Sequence, residues 1–182
     1  GKDCDLITFE IEHINVDALE SLEKIGKAVY PKSKTLRIIQ DKNSQKSFFK
    51  KNNIPTSNFK YFKSLDELKR SIENNKVKFP CVWKKTKFGY DGFGVKILNS
   101  IDDINNLPNS EMIIEDYIPF EKELSVIVAR NVKGDIKCYR TVEMEFNNIS
   151  NQVEFVISPG NISEEIDNEA QKLAIKLSES LD

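Results

Sequence analysis

The stretch from Phe79 to Leu98, FPCVWKKTKFGYDGFGVKIL, decides the fold. It runs as a β-prone segment to Lys85, crosses Phe88-Gly-Tyr-Asp-Gly-Phe-Gly94, and returns over Gly94–Leu98. That pattern predicts two antiparallel strands joined by a glycine loop. Three of the seven glycines fall between Gly89 and Gly94. Glycines let backbone N–H groups approach and wrap phosphate oxygens, and Lys84 on the preceding strand adds a mobile positive charge. No Gly-Lys-Ser/Thr follows, which excludes a Walker loop. The next segment is a strand with no helix to face a pyrophosphate, which excludes the dinucleotide fingerprint. A glycine hairpin over phosphates is mechanically closer to the loop that covers ATP in kinases. An ordinary hairpin is the simpler account of the pattern taken alone.

Around this hairpin, Phe59–Phe62 and Met112–Glu115 read as further strands. Ser64-Leu-Asp-Glu67 is a capping box that opens a helix to about Asn75, and Ser100–Ile104 reads as a short helix. Together they predict a compact α+β lobe. Upstream, Asp5–Glu10 reads as a strand and Asp17–Ile25 as a helix stopped by Gly26, with Ala28–Tyr30 as a second strand, the order of a parallel α/β layer. One helix is expected over Leu36–Asn52, broken near Asn43–Ser44. Downstream, Leu124–Val132 and Ile136–Glu145 read as two strands of a hairpin turned at Lys133-Gly134-Asp135. Val153–Ser158 follows as a third strand, and Ser163 opens a terminal helix.

Composition narrows the class. The chain has 182 residues, 39% of them hydrophobic, enough for one full core or two small lobes sharing a cleft. Lys and Arg number 27 against 29 Asp and Glu, a net charge of −2. That balance argues against a dedicated nucleic-acid binder. No apolar run approaches the ~20 residues of a membrane helix. Cys4, Cys81 and Cys138 are odd in number and far apart, so they read as free thiols of a cytoplasmic protein. No methionine precedes Met112, and a helical apolar stripe runs to the last residues, so the chain is expected to be a piece of a longer protein.

Two further clusters carry candidate chemistry. Glu115-Asp-Tyr-Ile-Pro119, followed by Glu121 and Glu123, resembles an interdomain hinge. Its backbone could pair with an adenine edge while a carboxylate takes ribose hydroxyls; an acidic solvent-facing loop is the alternative. Glu10-Ile-Glu12-His13 ends the first strand, where α/β sheets hold ligands. His13 is the single histidine, which excludes a multi-histidine metal site.

In this order the segments resemble the ATP-grasp enzymes, and within them the carboxyaminoimidazole ribonucleotide synthases. The residues that carry the resemblance are Thr8-Phe-Glu-Ile-Glu-His13, Ile39-Gln-Asp-Lys42 with Gln45-Lys46, Lys84, Gly89-Tyr-Asp-Gly92 with Gly94, and Glu115 with Pro119-Phe-Glu-Lys-Glu-Leu-Ser125. It implies an ATP-grasp fold of mixed α+β and α/β character in three parts. Residues 1–53 would end an N-terminal α/β domain, 54–118 would form the central lid lobe, and 119–182 would begin the C-terminal lobe. The implied activity is a carbon–nitrogen ligase step of purine synthesis, in which ATP phosphorylates bicarbonate and the carboxyphosphate carboxylates 5-aminoimidazole ribonucleotide. Lys84 would hold ATP phosphate, with Lys42 nearby, beneath the loop Gly89, Tyr90, Asp91, Gly92, Phe93, Gly94 and Val95. Glu115, Asp116, Tyr117 and Ile118 would meet adenine, and Glu123 the ribose. Glu10, Tyr90 and Asp91 would face the imidazole nucleotide and bicarbonate as catalytic residues. Mg2+ is implied, with its ligands expected downstream of this chain, and family members are often homodimers.

Some positions depart from the family. Lys42 replaces the usual Arg and so lacks the bidentate fork. Phe93 and Val95 replace a basic residue and Gln, and Phe146 stands where a histidine is usual. Another ATP-grasp ligase, such as a formate-using glycinamide ribonucleotide transformylase, and a degenerate nucleotide-binding or structural module are the competing readings. Tyr90-Asp91 within the loop favours the first reading over the transformylase.

Overall fold

The computed structural model describes residues 3–89, 94–147 and 152–181. The chain divides into two compact units. Gly1–Phe48, Ser57–Gly89 and Gly94–Tyr117 belong to the first, and Phe49–Thr56 and Ile118–Asp182 to the second.

In the first unit, β1 (Leu6–Thr8), α1 (Val16–Lys24) and β2 (Ala28–Tyr30) form the expected strand–helix–strand layer, with β1 and β2 paired in parallel. The Asn15 side chain caps α1 by accepting the Ala18 N–H at 3.0 Å. Gly26, at φ +83°, ends it with its N–H on the Glu23 carbonyl at 2.9 Å. Val16, Leu19, Val29 and Leu36 bury one another beneath.

The helix expected over 36–52 is two helices, α2 (Ser33–Ile39) and α3 (Lys42–Lys51). The break falls at Gln40–Asp41 and not at Asn43–Ser44. Asp41 Oδ1 accepts the Ser44 N–H at 2.9 Å, the geometry of an N-cap. The Lys42 N–H, a first-turn donor with no intrahelical acceptor, goes to the Thr86 carbonyl at 2.8 Å.

The remainder of this unit is β3 (Phe59–Phe62), α4 (Leu65–Glu73), β4 (Cys81–Lys85), β5 (Val95–Leu98), a 3-10 helix (Ile101–Asn106) and β6 (Met112–Asp116). The strands form one antiparallel sheet in the order β3-β6-β4-β5. Ser64 caps α4 as expected, but the return bond from Glu67 reaches the N–H of Lys63, one residue upstream of the box. Side chains alternate across a strand. Met112 and Ile114 therefore join Phe62, Leu68, Ile72, Cys81, Trp83 and Leu98 in the core. Ile113 and Glu115 point to the opposite face.

The second unit contains β7 (Glu123–Ser125), β8 (Val128–Arg130), β9 (Ile136–Cys138), β10 (Val142–Phe146), β11 (Val153–Ile157) and α5 (Glu164–Ser180). The two long strands expected at 124–132 and 136–145 are each broken. Val128 faces Cys138 in the hairpin, whereas Ser125 faces Val142, so residues 139–141 lie opposite only 126 and 127. The two pairings belong to separate sheets, so 139–141 link β9 to β10, and a register shift lies farther on, between Glu145 and Phe146. The Thr141 N–H turns to Asp167 Oδ1 at 3.0 Å, and Asp167 also accepts from Gln171 Nε2 at 2.8 Å and Arg140 Nε at 3.3 Å. Among the described residues no helix is long and apolar enough to cross a membrane.

Two outcomes follow for stability. Leu68 is fully buried in the sheet core, so Leu68→Ala should cost about 2–5 kcal/mol in urea unfolding. Hydrogen bonds from Thr141, then Gln171, hold the Asp167 carboxyl well below the usual carboxylate range. A depressed folded pKa stabilises above the unfolded value, about 3.9, and that contribution is lost as pH falls towards the folded one. Asp167→Asn should therefore be less stable than wild type at pH 7, and the difference should shrink as thermal unfolding is followed below pH 4.

Candidate functional site

The site grows from the face of the β3-β6-β4-β5 sheet opposite its core. Glu115 on β6 lies between Phe59 of β3 and Val82 of β4, and Lys84 lies one diagonal step along β4, opposite Ile113. Diagonal neighbours of this kind are within reach of long side chains. The Lys84 ammonium sits 3.1 Å from Glu115 Oε2. Lys46 approaches the same oxygen at 3.2 Å, and Ser57 Oγ donates to it at 2.9 Å. Lys46 also donates to Ser57 Oγ at 2.6 Å, which closes the cluster.

Glu115 is only 5% exposed. Burial pushes its carboxyl up, but Lys84 and then Lys46 outweigh that effect and leave the carboxyl below its ordinary range. Lys42, one helical turn before Lys46 on α3, belongs to the same field. Burial depresses its pKa first and the Lys84 charge second, with Glu115 and Glu12 opposing in part. Two ammonium groups, those of Lys46 and Lys84, thus share one carboxylate, a formal charge of +1 for the three groups, and Lys42 acts on them through its charge. Partly desolvated ammonium groups with uncancelled charge bind phosphate oxygens strongly.

The glycine loop closes at its base beside this cluster's strand. Lys85 donates its N–H to the Gly94 carbonyl at 2.8 Å. Gly94 has φ +84°, and a Cβ there would lie 3.3 Å from both Gly89 Cα and Lys85 Cβ, so a larger residue would force the loop ends apart.

The sequence-predicted residues distribute as follows. Lys42, Lys84 and Glu115 come together, with Gly89, Gly94 and exposed Val95 at the hairpin that extends from β4. Asp116 and Tyr117 continue β6, and Asp116 Oδ2 accepts from Asn58 Nδ2 at 2.9 Å. Glu10 lies exposed in the first unit, two residues beyond β1. Ile118 and Glu123 belong to the second unit, where Glu123 faces Met144 across β7 and β10. Tyr90, Asp91, Gly92 and Phe93 lie outside the described residues. Sequence reasoning assigned no role to Lys46 or Ser57. The spacing of Lys42 and Lys46, four residues apart on one helix face, was a usable signal; Ser57, in the segment before β3, offered none.

Among the described residues there is no group of three or more His, Cys, Asp or Glu able to hold a metal ion.

Comparison with known proteins identifies the family. The chain is 31% identical to an N5-carboxyaminoimidazole ribonucleotide synthase of Synechocystis, over 100% of this chain and 45% of that protein. The crystal structure of N5-carboxyaminoimidazole ribonucleotide synthetase from Thermotoga maritima superposes with a TM-score of 0.84 at 37% identity, covering 99% of this chain and 45% of that one. The Aspergillus clavatus synthase, in complex with ADP and 5-aminoimidazole ribonucleotide, superposes with a TM-score of 0.87 at 28% identity, covering 100% and 47%. This chain thus spans under half the length of these relatives. Residues 1–40 match the ribonucleotide synthetase preATP-grasp domain. Residues 47–182, most of the chain, match the ATP-grasp domain, and the chain belongs to the ATP-grasp family.

Proposed function

We propose that the protein carrying this chain is an ATP-dependent ligase that carboxylates 5-aminoimidazole ribonucleotide with bicarbonate, giving N5-carboxyaminoimidazole ribonucleotide for purine synthesis. The observation that carries this reading is the buried Glu115 carboxylate held by Lys84 and Lys46, with Lys42 in the same field, beside the base of a glycine hairpin. It occurs in a chain similar along its whole length to N5-carboxyaminoimidazole ribonucleotide synthases.

In this reaction a bicarbonate oxygen attacks the γ-phosphorus of ATP and ADP leaves, forming carboxyphosphate. The amino nitrogen of the imidazole nucleotide then attacks the carboxyl carbon, directly or as released CO2, and phosphate departs. Lys84 and Lys42 neutralise charge on the ATP phosphates. Glu115, Asp116, Tyr117 and the Ile118 backbone bind adenine, and Glu123 takes the ribose hydroxyls. The Gly89–Val95 loop closes over the phosphates and excludes water, which would otherwise hydrolyse carboxyphosphate. Glu10, Tyr90 and Asp91 face the imidazole nucleotide and bicarbonate. Residues 1–53, 54–118 and 119–182 correspond in this proposal to the end of the N-terminal domain, the central lobe and the start of the C-terminal lobe. The protein acts in the cytoplasm as a homodimer. Mg2+ would add charge neutralisation at the phosphates; no step is assigned to it on these residues.

An assay of the protein with ATP, bicarbonate and 5-aminoimidazole ribonucleotide tests the reading. ADP formation should depend on the imidazole nucleotide, and ADP formation indifferent to it would refute the proposal. Lys84→Ala should lower kcat/KM for ATP by about 100-fold, the scale for losing a preorganised phosphate donor. Glu123→Ala should mainly raise the KM for ATP, by roughly tenfold, as loss of a charged hydrogen bond to ribose predicts.

The depressed pKa of Lys42 supplies a pH signature. ATP affinity should fall as pH rises through that pKa, below the ordinary lysine value of about 10.4. Lys42→Arg, whose charge persists at every accessible pH, should remove this alkaline limb in a pH series of ATP titrations.

A further inference from the structure

Glu115 is loaded asymmetrically. Its Oε2 receives Ser57, Lys84 and Lys46 within 3.2 Å, whereas Oε1 is buried and has no hydrogen-bond partner among the described residues. Two ammonium groups therefore compete for one oxygen of a single carboxylate. Lys84 and Glu115 alone would form a neutral pair, a poor receptor for a polyphosphate. The Lys46 side chain is 13% exposed, and its ammonium is engaged by Ser57 and Glu115. The Lys84 side chain, at 28%, is the more open of the two.

We propose that Lys46 is a charge-compensating positioning residue. It offsets the Glu115 carboxylate, and with Ser57 fixes its orientation, so that Lys84 keeps an uncancelled positive charge for the nucleotide polyphosphate. Lys46 does this without contacting the nucleotide. The proposal rests on the nucleotide-binding reading above and deepens it.

The groups facing Glu115 are few and come from separate elements: Lys84 from β4, Lys46 from α3 and Ser57 from the segment leading to β3. Lys42, also on α3, acts on it through its charge. Removing Lys46 would thus leave Glu115 to Lys84, drawing that ammonium into a closed pair. It would also take the formal charge of the group formed by Lys46, Lys84 and Glu115 from +1 to zero. The hydroxyl of Ser57 orients the carboxylate but carries no charge, so its loss should matter less.

Substitutions can separate a charge from a mere tether. Lys46→Arg keeps the charge, and Lys46→Gln keeps a donor for Ser57 without it. ATP is titrated calorimetrically into the protein and both variants at several salt concentrations, and the Glu115 carboxyl is followed by 13C NMR across pH. Lys46→Gln should weaken ATP binding roughly tenfold and flatten its dependence on salt, since one charge fewer is screened. It should also raise the Glu115 pKa, because a neighbouring cation is lost. Lys46→Arg, which retains the positive charge beside Glu115, should stay within about threefold of wild type in ATP affinity. Equal losses in both variants with an unchanged salt slope would make Lys46 a structural tether and overturn the proposal. Wild-type affinity in Lys46→Gln would overturn it too. Should the wild-type protein bind no ATP, the nucleotide reading falls instead. The Glu115 titration then decides alone, and an unshifted carboxyl in Lys46→Gln refutes the charge role.

Discussion

The ion cluster at Glu115 is the constraint on which the first unit depends. A carboxylate with 5% exposure is tolerated only because cations and a hydroxyl surround it. Those partners come from three segments that the sequence separates: α3, the approach to β3, and β4. Each must arrive in one register. Were β6 to slip by a single residue, Glu115 would turn into the core of Leu68 and Trp83, and Ile114 would face the lysines. Core packing and site chemistry therefore select the same strand pairing, because each reads alternate residues of Met112–Asp116.

What could be read from the sequence was what local chemistry dictates. The Ser64 cap, the Gly26 stop and β2 all rest on residues within a few positions of one another, and all are found; the β4–β5 pairing is found as well, with Tyr90–Phe93 outside the described residues. The errors lie where a distant group intervenes. The apolar positions from Leu36 to Phe49 do not disclose that the helix parts at Asp41, because one bond that supports the parting runs from Lys42 to Thr86. Likewise the run from Val142 back to Ile136 is uniformly β-prone. The break at 139–141 makes sense only once Asp167, 26 positions beyond Thr141, is seen to take the Thr141 N–H.

The site was legible to the same degree and for the same reason. Lys84 stood out because it precedes a glycine loop, and Glu115 because an acid ends an apolar strand. Lys42 and Lys46 share a helix face, but a lysine pair on a polar helix is ordinarily a solvated surface. Only the buried acid on a neighbouring element gives the pair meaning. Ser57 has no distinguishing neighbours at all; its role is created by β3 lying beside β6.

Charge distribution links these levels. The whole chain is near neutral at −2, yet the group of Lys46, Lys84 and Glu115 is formally positive, so the rest of the chain is net acidic. A low-dielectric pocket lined by charge of one sign focuses field lines on an anionic ligand. Most of the 27 basic residues contribute nothing to that contrast, since solvent screens them within about 10 Å. The burial that depresses Lys42 and opposes ionisation of Glu115 also keeps solvent from screening their fields. In the proposed nucleotide site, attraction for a polyphosphate would thus come less from the number of lysines than from the few that the fold withdraws from water.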